Sequence, residues 1–395
     1  MIETRFKKTE IGVIPEDWVL KSIASIASIF GRIGYRGYTV YDLVKEGFGA
    51  ITLSPTNIRD NRMVFDKCTY ISWEKYEESP EIKIQNGDIL MVKTGSTGKS
   101  AFVENLPCAA TINPQFVVFK NIKCNSRLLA LLIMQQSFQQ QINSITSGGA
   151  IPTMSQAKIL TCKLSLPASC DEQNRIAAAF SDIDALISDL EALIEKKQNI
   201  KQGVMQELLS GKRRLTGFTG EWKKKPFFEV LYSCNNKSKQ IDQNQYLESG
   251  ITPIVDQGKQ LIGGYTDKVD PIKKETGPYI VFGDHTCFFK YIDFDFYLGA
   301  DGTQLLKCHK DYNTAYINHA CQMIALPNTG YDRHFKYLRD VVFFLPSLKA
   351  EQNSIAKVLI TMDSEINTLQ ARLNKYKQLK QGMMQQLLTG RIRLK

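Results

Sequence analysis

Two runs of apolar residues dominate the pattern of this chain. In the first, Ile176, Phe180, Ile183, Ile187, Leu190 and Ile194 step by alternating fours and threes. In the second, Ile355, Leu359, Met362, Ile366, Leu369 and Leu373 repeat the same steps. Such steps average 3.5 residues, the spacing that keeps apolar side chains on one seam of a helix packed against another helix. No proline interrupts either run, and Gly211 and Gly390 stand where a left-handed cap would end each helix. An unbroken helix from Glu172 to Leu209 would extend roughly 57 Å. Two stripes of equal length and phase predict an intramolecular coiled coil, because each helix is the other's most available partner.

The repetition goes beyond the seam. Shifted by 179 residues (380 minus 201), residues 172–215 lie on 351–394 without a gap. Glu172-Gln173-Asn174 falls on Glu351-Gln352-Asn353, Asp184 on Asp363, and Lys201-Gln202-Gly203 on Lys380-Gln381-Gly382. Leu166-Pro167 and Leu345-Pro346 extend the match upstream. The alignment reads as a duplication.

Before each helix the pattern changes. Residues 1–170 and 216–349 are rich in β-branched and aromatic residues broken by Gly, Asn and Pro, which predicts short strands with hairpin turns. Residues 126–145 predict a single helix within the first of these segments. The segments begin alike, with PEDW (15–18) and TGEW (219–222), and then diverge. The expected order is domain 1–170, helix 171–215, domain 216–349, helix 350–395.

Composition narrows the class. A chain of 395 residues is too long for one ordinary core, and 43% hydrophobic with 23% charged residues is the balance of a globular protein. Fifty Lys and Arg against forty Asp and Glu give +10, which suits a polyanionic partner. The first residues carry no apolar signal-peptide core, and no run approaches the roughly 18 apolar residues of a membrane span. Nine cysteines without a CxxC pair predict reduced thiols in the cytoplasm.

Several stretches invite an enzymatic reading. In TGSTGKS (94–100) the position five residues before the Gly-Lys pair is Lys93 rather than glycine, so the expectation is a hairpin turn and not a phosphate-wrapping loop. INPQF (112–116) is close to an amine-holding methyltransferase tetrad but has Gln115 for its second proline. It is expected to be a loop entering a strand. Glu81-Ile82-Lys83 has nuclease-strand spacing without an upstream Pro-Asp and is expected to be ordinary strand. Cys308, His309, His319 and Cys321 match no zinc spacing. No catalytic constellation is complete, so neither a cofactor nor a metal is expected.

Basic and aromatic residues interleave more suggestively. In the first domain the candidate DNA contacts are Arg32, Tyr35, Arg36 and Tyr38 in GRIGYRGY, Arg59 and Arg62 in NIRDNR, and Lys93, Thr94, Ser96 and Lys99 around the hairpin tip. In the second they are Lys237 and Lys239, Lys259, His285, Gln304, and Arg333, His334 and Lys336. Arg with guanine and Gln with adenine are the usual base-edge pairings, while Lys and backbone amides take phosphates. Past the seams, Lys212-Arg213-Arg214 and Arg391 with Arg393 are expected either to meet DNA or a partner protein or to complement the helix dipole.

The chain as a whole resembles the specificity subunits of type I restriction–modification systems. The resemblance rests on TEIGVIPEDW (9–18), on the helix starts at Pro167 with Glu172-Gln173 and Pro346 with Glu351-Gln352, on the KQGxMQxLLxG endings, and on two divergent segments alternating with two repeated helices. It implies an α+β fold with two mixed α/β target recognition domains separated by two long antiparallel helices, in pseudo-two-fold symmetry. Each domain would read half of a split, asymmetric site in double-stranded DNA. Two methyltransferase subunits would dock around the helices and restriction–translocase subunits would join them, leaving this subunit without catalysis or cofactor. The rival readings are the recognition portion of a stand-alone methyltransferase or nuclease, which would need a complete cofactor or metal motif, and a coiled-coil protein-binding scaffold, which would show little DNA affinity.

Overall fold

The computed structural model of the chain describes residues 5–327 and 333–394. Two compact units form, Met1–Ser188 with Asn374–Lys395, and Asp189–Leu373. One series of elements occurs twice. First come β1 (Trp18–Ser22), α1 (Ile23–Ile26), β2 (Ser28–Phe30), β3 (Ile89–Val92), β4 (Ser100–Phe102), β5 (Phe116–Lys120), α2 (Ser126–Ile133), β6 (Lys163–Pro167) and the long helix α3 (Cys170–Leu208). Then come β7 (Trp222–Pro226), α4 (Phe227–Val230), β8 (Leu231–Ser233), β9 (Tyr279–Gly283), β10 (Phe289–Ile292), β11 (Thr303–Cys308), α5 (Thr314–Gln322), β12 (Val342–Pro346) and the long helix α6 (Lys349–Leu387).

In the first unit the main sheet runs β2-β5-β3-β4 and continues into the hairpin Ile58–Arg59/Arg62–Met63. In the second it runs β8-β11-β9-β10. The apolar runs ILMV of β3 and YIVFG of β9 are buried along their whole length, which is why they do not alternate. A second four-stranded sheet in each unit contains parallel pairs, Ala110 beside Ile51 and Ile254 beside Tyr297. Both domains are therefore mixed α/β.

The duplicated sequence builds one junction in each unit. Trp18 on β1 pairs across from Pro167 on β6, and Trp222 on β7 from Pro346 on β12. Gln173 donates its amide to the Pro167 carbonyl at 2.8 Å, and its Oε1 accepts the Asn125 N–H at 3.0 Å. Asn125 in turn caps α2 by accepting from the Leu128 N–H. Gln352, Pro346 and Asn313 repeat the set at α5, with 3.0 and 2.9 Å bonds. The Glu-Gln-Asn motif is thus a joint that fixes a domain to the first turn of its helix.

Within each unit the two helical stretches run antiparallel. In the first, Asp184 meets Lys380 at 2.7 Å and Glu172 meets Arg393 at 2.6 Å. In the second, Asp363 meets Lys201, Lys197 meets Glu365 at 2.6 Å, and Glu351 meets Arg214 at 2.6 Å. The seam residues Ile176, Phe180, Ile183, Ile187, Leu190, Ile194, Ile355, Leu359 and Leu373 are buried, and Met362, Ile366 and Leu369 are half-buried. Each fully buried side chain of this kind stabilises by about 1.5–3 kcal/mol. Gly211 and Gly390 close the helices at φ +73° and +68°, the left-handed conformation a residue without Cβ adopts freely.

Some expectations need correction. Residues 126–145 form two helices, Ser126–Ile133 and Gln136–Ile145, because Gln135 is extended and its carbonyl accepts the N–H groups of Phe138 and Gln139. That break lets Phe138 and Ile142 reach the core. Glu81-Ile82-Lys83 lies at a 3₁₀ turn begun by Pro80 rather than on a strand, with Ile82 fully buried. Arg214 and Arg393 are inward ties and not basic ends open to DNA. Arg393 makes two-pronged bonds to both Glu172 and Asp17, all between 2.6 and 2.8 Å, and its carboxylate partners, Glu172 first, hold its pKa up.

Candidate nucleic-acid interface

In the second unit, loops far apart in sequence converge at the end of β9. The turn Gly283–Phe288 closes the β9–β10 hairpin, with the Gly283 N–H bonded to the Phe288 carbonyl at 2.9 Å. The buried Asp284 organises what surrounds it. Its N–H donates to the Gly302 carbonyl at 2.7 Å, its carboxylate accepts the Phe335 N–H at 2.7 Å, and its carbonyl accepts the His334 N–H at 3.1 Å. Thr286 donates to the Gln257 carbonyl at 2.5 Å. Lys290, buried, donates to the Asp256 carbonyl at 2.8 Å, and burial pushes its pKa down. A Cβ on Gly302 (φ +57°) would come within 2.7 Å of Gln257 Oε1 and 2.9 Å of the His285 ring, so only glycine lets the loops meet. Asn235 joins by donating to Gln304 Oε1 at 2.6 Å. The four segments 256–260, 283–288, 300–304 and 333–336 thus form one surface with Asn235 at its margin.

Of the predicted residues there, Lys237, Lys259, Arg333 and Lys336 are exposed, with the Lys336 ammonium 5.0 Å from the Tyr337 ring centre. His285 and Gln304 are half-buried within the cluster. Lys239 is held by Asp270 and by that residue's carbonyl at 2.7 Å. His334 is buried, with Nδ1 2.9 Å from the Asp284 carbonyl. It builds the surface from beneath instead of presenting its ring.

The first unit gathers its loops at the matching hairpin, β3 to β4. The Lys93 N–H donates to the Gln115 carbonyl at 2.7 Å, the Lys93 carbonyl accepts from Met154, and the Gly95 N–H donates to Pro152. The Thr94 hydroxyl lies 3.0 Å from that of Thr153. Gly95 and Gly98 take φ +94° and +83°, as the tight turn in TGSTGKS requires. Lys93 is half-buried with a pKa lowered by desolvation, Ser96 is exposed, and Lys99 donates to the Pro55 carbonyl at 3.3 Å. INPQF runs from a strand through a loop into β5. Asn113 and Gln115 bond to each other there, at 2.9 and 3.0 Å.

The other first-domain candidates separate. Arg32 is buried, only 4% exposed. Its guanidinium donates to the Ile112 carbonyl at 3.0 Å, the Arg36 carbonyl at 3.2 Å and the Thr111 hydroxyl at 3.2 Å, and lies 5.3 Å from the Tyr38 ring. These bonds shape the GRIGYRGY loop from within. Tyr38 accepts from Thr52 at 3.3 Å and Arg36 lies 3.5 Å from Glu81. Tyr35 sits in a 3₁₀ turn, and its side chain is outside the described residues. Arg59 is clamped by Asp66 at 2.9 and 3.2 Å. Arg62 turns to Asp184 on α3 at 3.2 Å, beside a cavity of about 90 Å³ also lined by Arg127 and Lys380. That hairpin therefore ties to the helix junction through Arg62. Cys308 and Cys321 are core thiols pushed up by burial, Cys308 to about 12.

Sequence reasoning named none of Asn113, Thr153, Asn235, Asp284 and Thr286 as an individual contact. The cue at Thr153 was the Ser147-Gly148-Gly149 turn cluster before it; Asp284 has no signal in a single sequence.

The family model "Type I restriction modification DNA specificity domain" matches residues 15–202. Full-length similarity agrees: the MjaX type I restriction enzyme specificity subunit of Methanocaldococcus jannaschii is 25% identical over 429 aligned positions, covering 100% of this chain and 98% of that one. The chain is thus similar to type I specificity subunits, over residues 15–202 by the family model and along its whole length by the MjaX protein. The MjaVIII specificity subunit of the same organism is 25% identical over 217 residues, 53% of this chain and 49% of that protein. The crystal structure of the type I restriction–modification S subunit from M. genitalium superposes with a TM-score of 0.66 at 13% identity, covering 94% of this chain and 96% of that one. At that identity the match speaks for the fold, two mixed α/β domains separated by long helices. Specificity subunits are the non-catalytic DNA-recognition components of type I systems. Among the described residues no helix is long and apolar enough to cross a membrane.

Proposed function

We propose that this chain directs a type I restriction–modification complex to a split, asymmetric DNA site. The loop surface around Lys93–Lys99 reads one half and the surface around Asp284 reads the other. The observation that carries this reading is the combination of one duplicated scaffold with two unlike loop surfaces. Matching joints at Gln173/Asn125 and Gln352/Asn313 hold the domains, while the side chains offered by the two hairpin tips differ. Two readers on one scaffold recognise separated, unequal half-sites. In the first domain Lys93, Thr94 and Ser96 are the contacts favoured by placement. In the second they are Lys237, Lys259, His285, Gln304, Arg333 and Lys336. Arg32, Arg62 and His334 act by holding loops and helices in place.

The helices set the distance between the readers and offer docking sites to two methyltransferase subunits, with restriction–translocase subunits joining them. Ile200 on α3 and Leu379 on α6, equivalent positions of the repeat, are both exposed, as apolar contacts for two like partners would be. The chain itself transfers no methyl group, cuts no strand, and works in the cytoplasm.

Binding-site selection from random duplex DNA tests this, using the full chain alone and with its methyltransferase subunits. The expected product is a two-part motif with a fixed unread gap. Removing a heptad from each helix, 187–193 with 366–372, should shorten the gap. One continuous motif, or no enrichment, overturns the reading.

A further inference from the structure

The second domain carries a basic groove along its edge strand. Two adjoining cavities of about 470 and 400 Å³ share Tyr232 and Lys307 and follow the edge strand β8. His309, Lys310 and Lys349 line one end, and among the described residues no Asp or Glu lines either cavity. At the other end the lining reaches Asn236 and Leu305, next to the Asn235–Gln304 bond at the margin of the loop surface. Lys239 and Lys273, also in the wall, are taken up by Asp270 and Asp295. Among the described residues, Lys307, Lys310 and Lys349 are paired with no carboxylate: Lys307 lies 5.8 Å from the Tyr279 ring centre, and Lys349 donates to the Lys310 carbonyl.

The register of the two sheets shows that this charge is particular to the second domain. Leu90 pairs with Val118 in the first unit, and Val281 with Leu305 in the second. Two residues further along each strand, Lys120 therefore corresponds to Lys307, and Asp88 to Tyr279. Lys120 is neutralised by Asp88 at 2.7 Å, whereas Lys307 has an aromatic ring in place of the carboxylate. By the 179-residue repeat, Lys349 stands where the first unit has Cys170, and Tyr232 stands where β2 has Ser28 opposite its lysine.

We infer that this groove binds the phosphate backbone of DNA flanking the second half-site, through Lys307, Lys310 and Lys349. This rests on the DNA-reading function proposed above and adds an asymmetric phosphate track to it. From Gln304 to Cys308 the strand covers about 13 Å at roughly 3.3 Å per residue, and the chain then turns at Lys310. That strand accompanies about four nucleotides at 3.4 Å each. A carboxylate-free groove with an open aromatic wall suits a regular polyanion, and its continuity with the loop surface points to the same DNA molecule.

The test is the salt dependence of binding by the full chain, measured by fluorescence anisotropy on a mixed-sequence duplex. Wild type is compared with K307Q/K310Q/K349Q and with K307R/K310R/K349R. Each lost phosphate contact lowers the slope of log K against log salt by about 0.9. The glutamine variant should lose about 2 to 3 from the slope, with affinity at least tenfold weaker at low salt, and the arginine variant should keep both. An unchanged slope in the glutamine variant, beside a steep wild-type slope, overturns the groove alone. No DNA binding by wild type overturns the DNA-reading function itself. If the groove serves an acidic protein, the glutamine variant keeps its DNA slope and loses binding to poly-L-glutamate, which also overturns the inference.

Discussion

Asp184 and Asp363 are the same residue of the duplicated helix, yet they hold different company. Each takes the lysine the repeat supplies, Lys380 for Asp184 and Lys201 for Asp363. Asp184 also draws Arg62 at 3.2 Å and Arg127 at 3.0 Å from its domain and is 17% exposed. Among the described residues Asp363 meets His319 beyond its lysine, at 3.6 Å, and is 37% exposed. Arg127 and its counterpart Ala315 both lie two residues past the capping asparagine, Asn125 or Asn313. The helix-to-helix tie is therefore written in the copied segment, while the domain-to-helix tie has been rewritten in each half. Divergence of the two domains extends down to the joint that carries them.

The largest break in this comparison should come at the helix ends. Arg393→Ala takes the guanidinium from Glu172, 4% exposed, and leaving a buried carboxylate unpaired should cost about 3 kcal/mol. Arg214→Ala strands Glu351, which keeps a bond from Trp222 Nε1 at 3.4 Å, so its loss should be smaller. Urea unfolding followed by circular dichroism measures both. Equal losses would mean that the Trp222 bond to Glu351 adds nothing.

Next in size is Arg32→Ala, which leaves the Ile112 carbonyl and Thr111 hydroxyl without this donor inside the first domain, at about 2 kcal/mol. In the second domain the matching position is Asn236, an exposed turn residue that accepts from Ser238, and Asn236→Ala should barely move stability. If Arg32→Ala instead leaves stability intact and changes the selected half-site, Arg32 reads bases after all.

Smaller again, Asp184→Ala should lose about 1–2 kcal/mol, since partly exposed ion pairs are individually weak but three cations share this carboxylate. Asp363→Ala should lose less. A double-mutant cycle with Arg127→Ala isolates the domain's share, and a coupling near zero would dissolve the distinction between the two aspartates.

These contrasts also mark what was legible in one sequence. The long helices, their seam and their caps could be read because periodicity and repetition sum over many residues. The junctions were half legible: Glu-Gln-Asn stood out as a repeat, but its partners Asn125 and Asn313 lie in divergent sequence. Among the loops, residue type alone singled out Arg32, Arg62 and His334 as surface contacts. The same hydrogen-bonding capacity that suits them to DNA bases also suits them to backbone carbonyls and carboxylates. Only the folded register decides which they meet. Asp284 was invisible for the converse reason, because an acidic residue is unexpected at a surface proposed to bind DNA until it is seen holding three loops.

The finest test of the difference between the halves is a pH dependence. His319, buried on α5, has its pKa lowered first by desolvation and then by Lys201, with Asp363 and Gln322 pulling the other way. Counting along the two helices from their capping asparagines places Leu131 at the matching position of the first unit. As pH falls through the ordinary histidine range near 6.5, the unfolded chain takes up a proton that the folded chain resists, so stability falls. The loss ends below the folded pKa, where both states are protonated. His319→Leu, which copies the first unit, should remove this contribution, flattening the thermal midpoint between pH 7 and 5 by on the order of 1 °C relative to wild type. Parallel midpoint curves for the two proteins would show that the imidazole beside Asp363 is electrostatically idle and that the second junction differs from the first in packing alone.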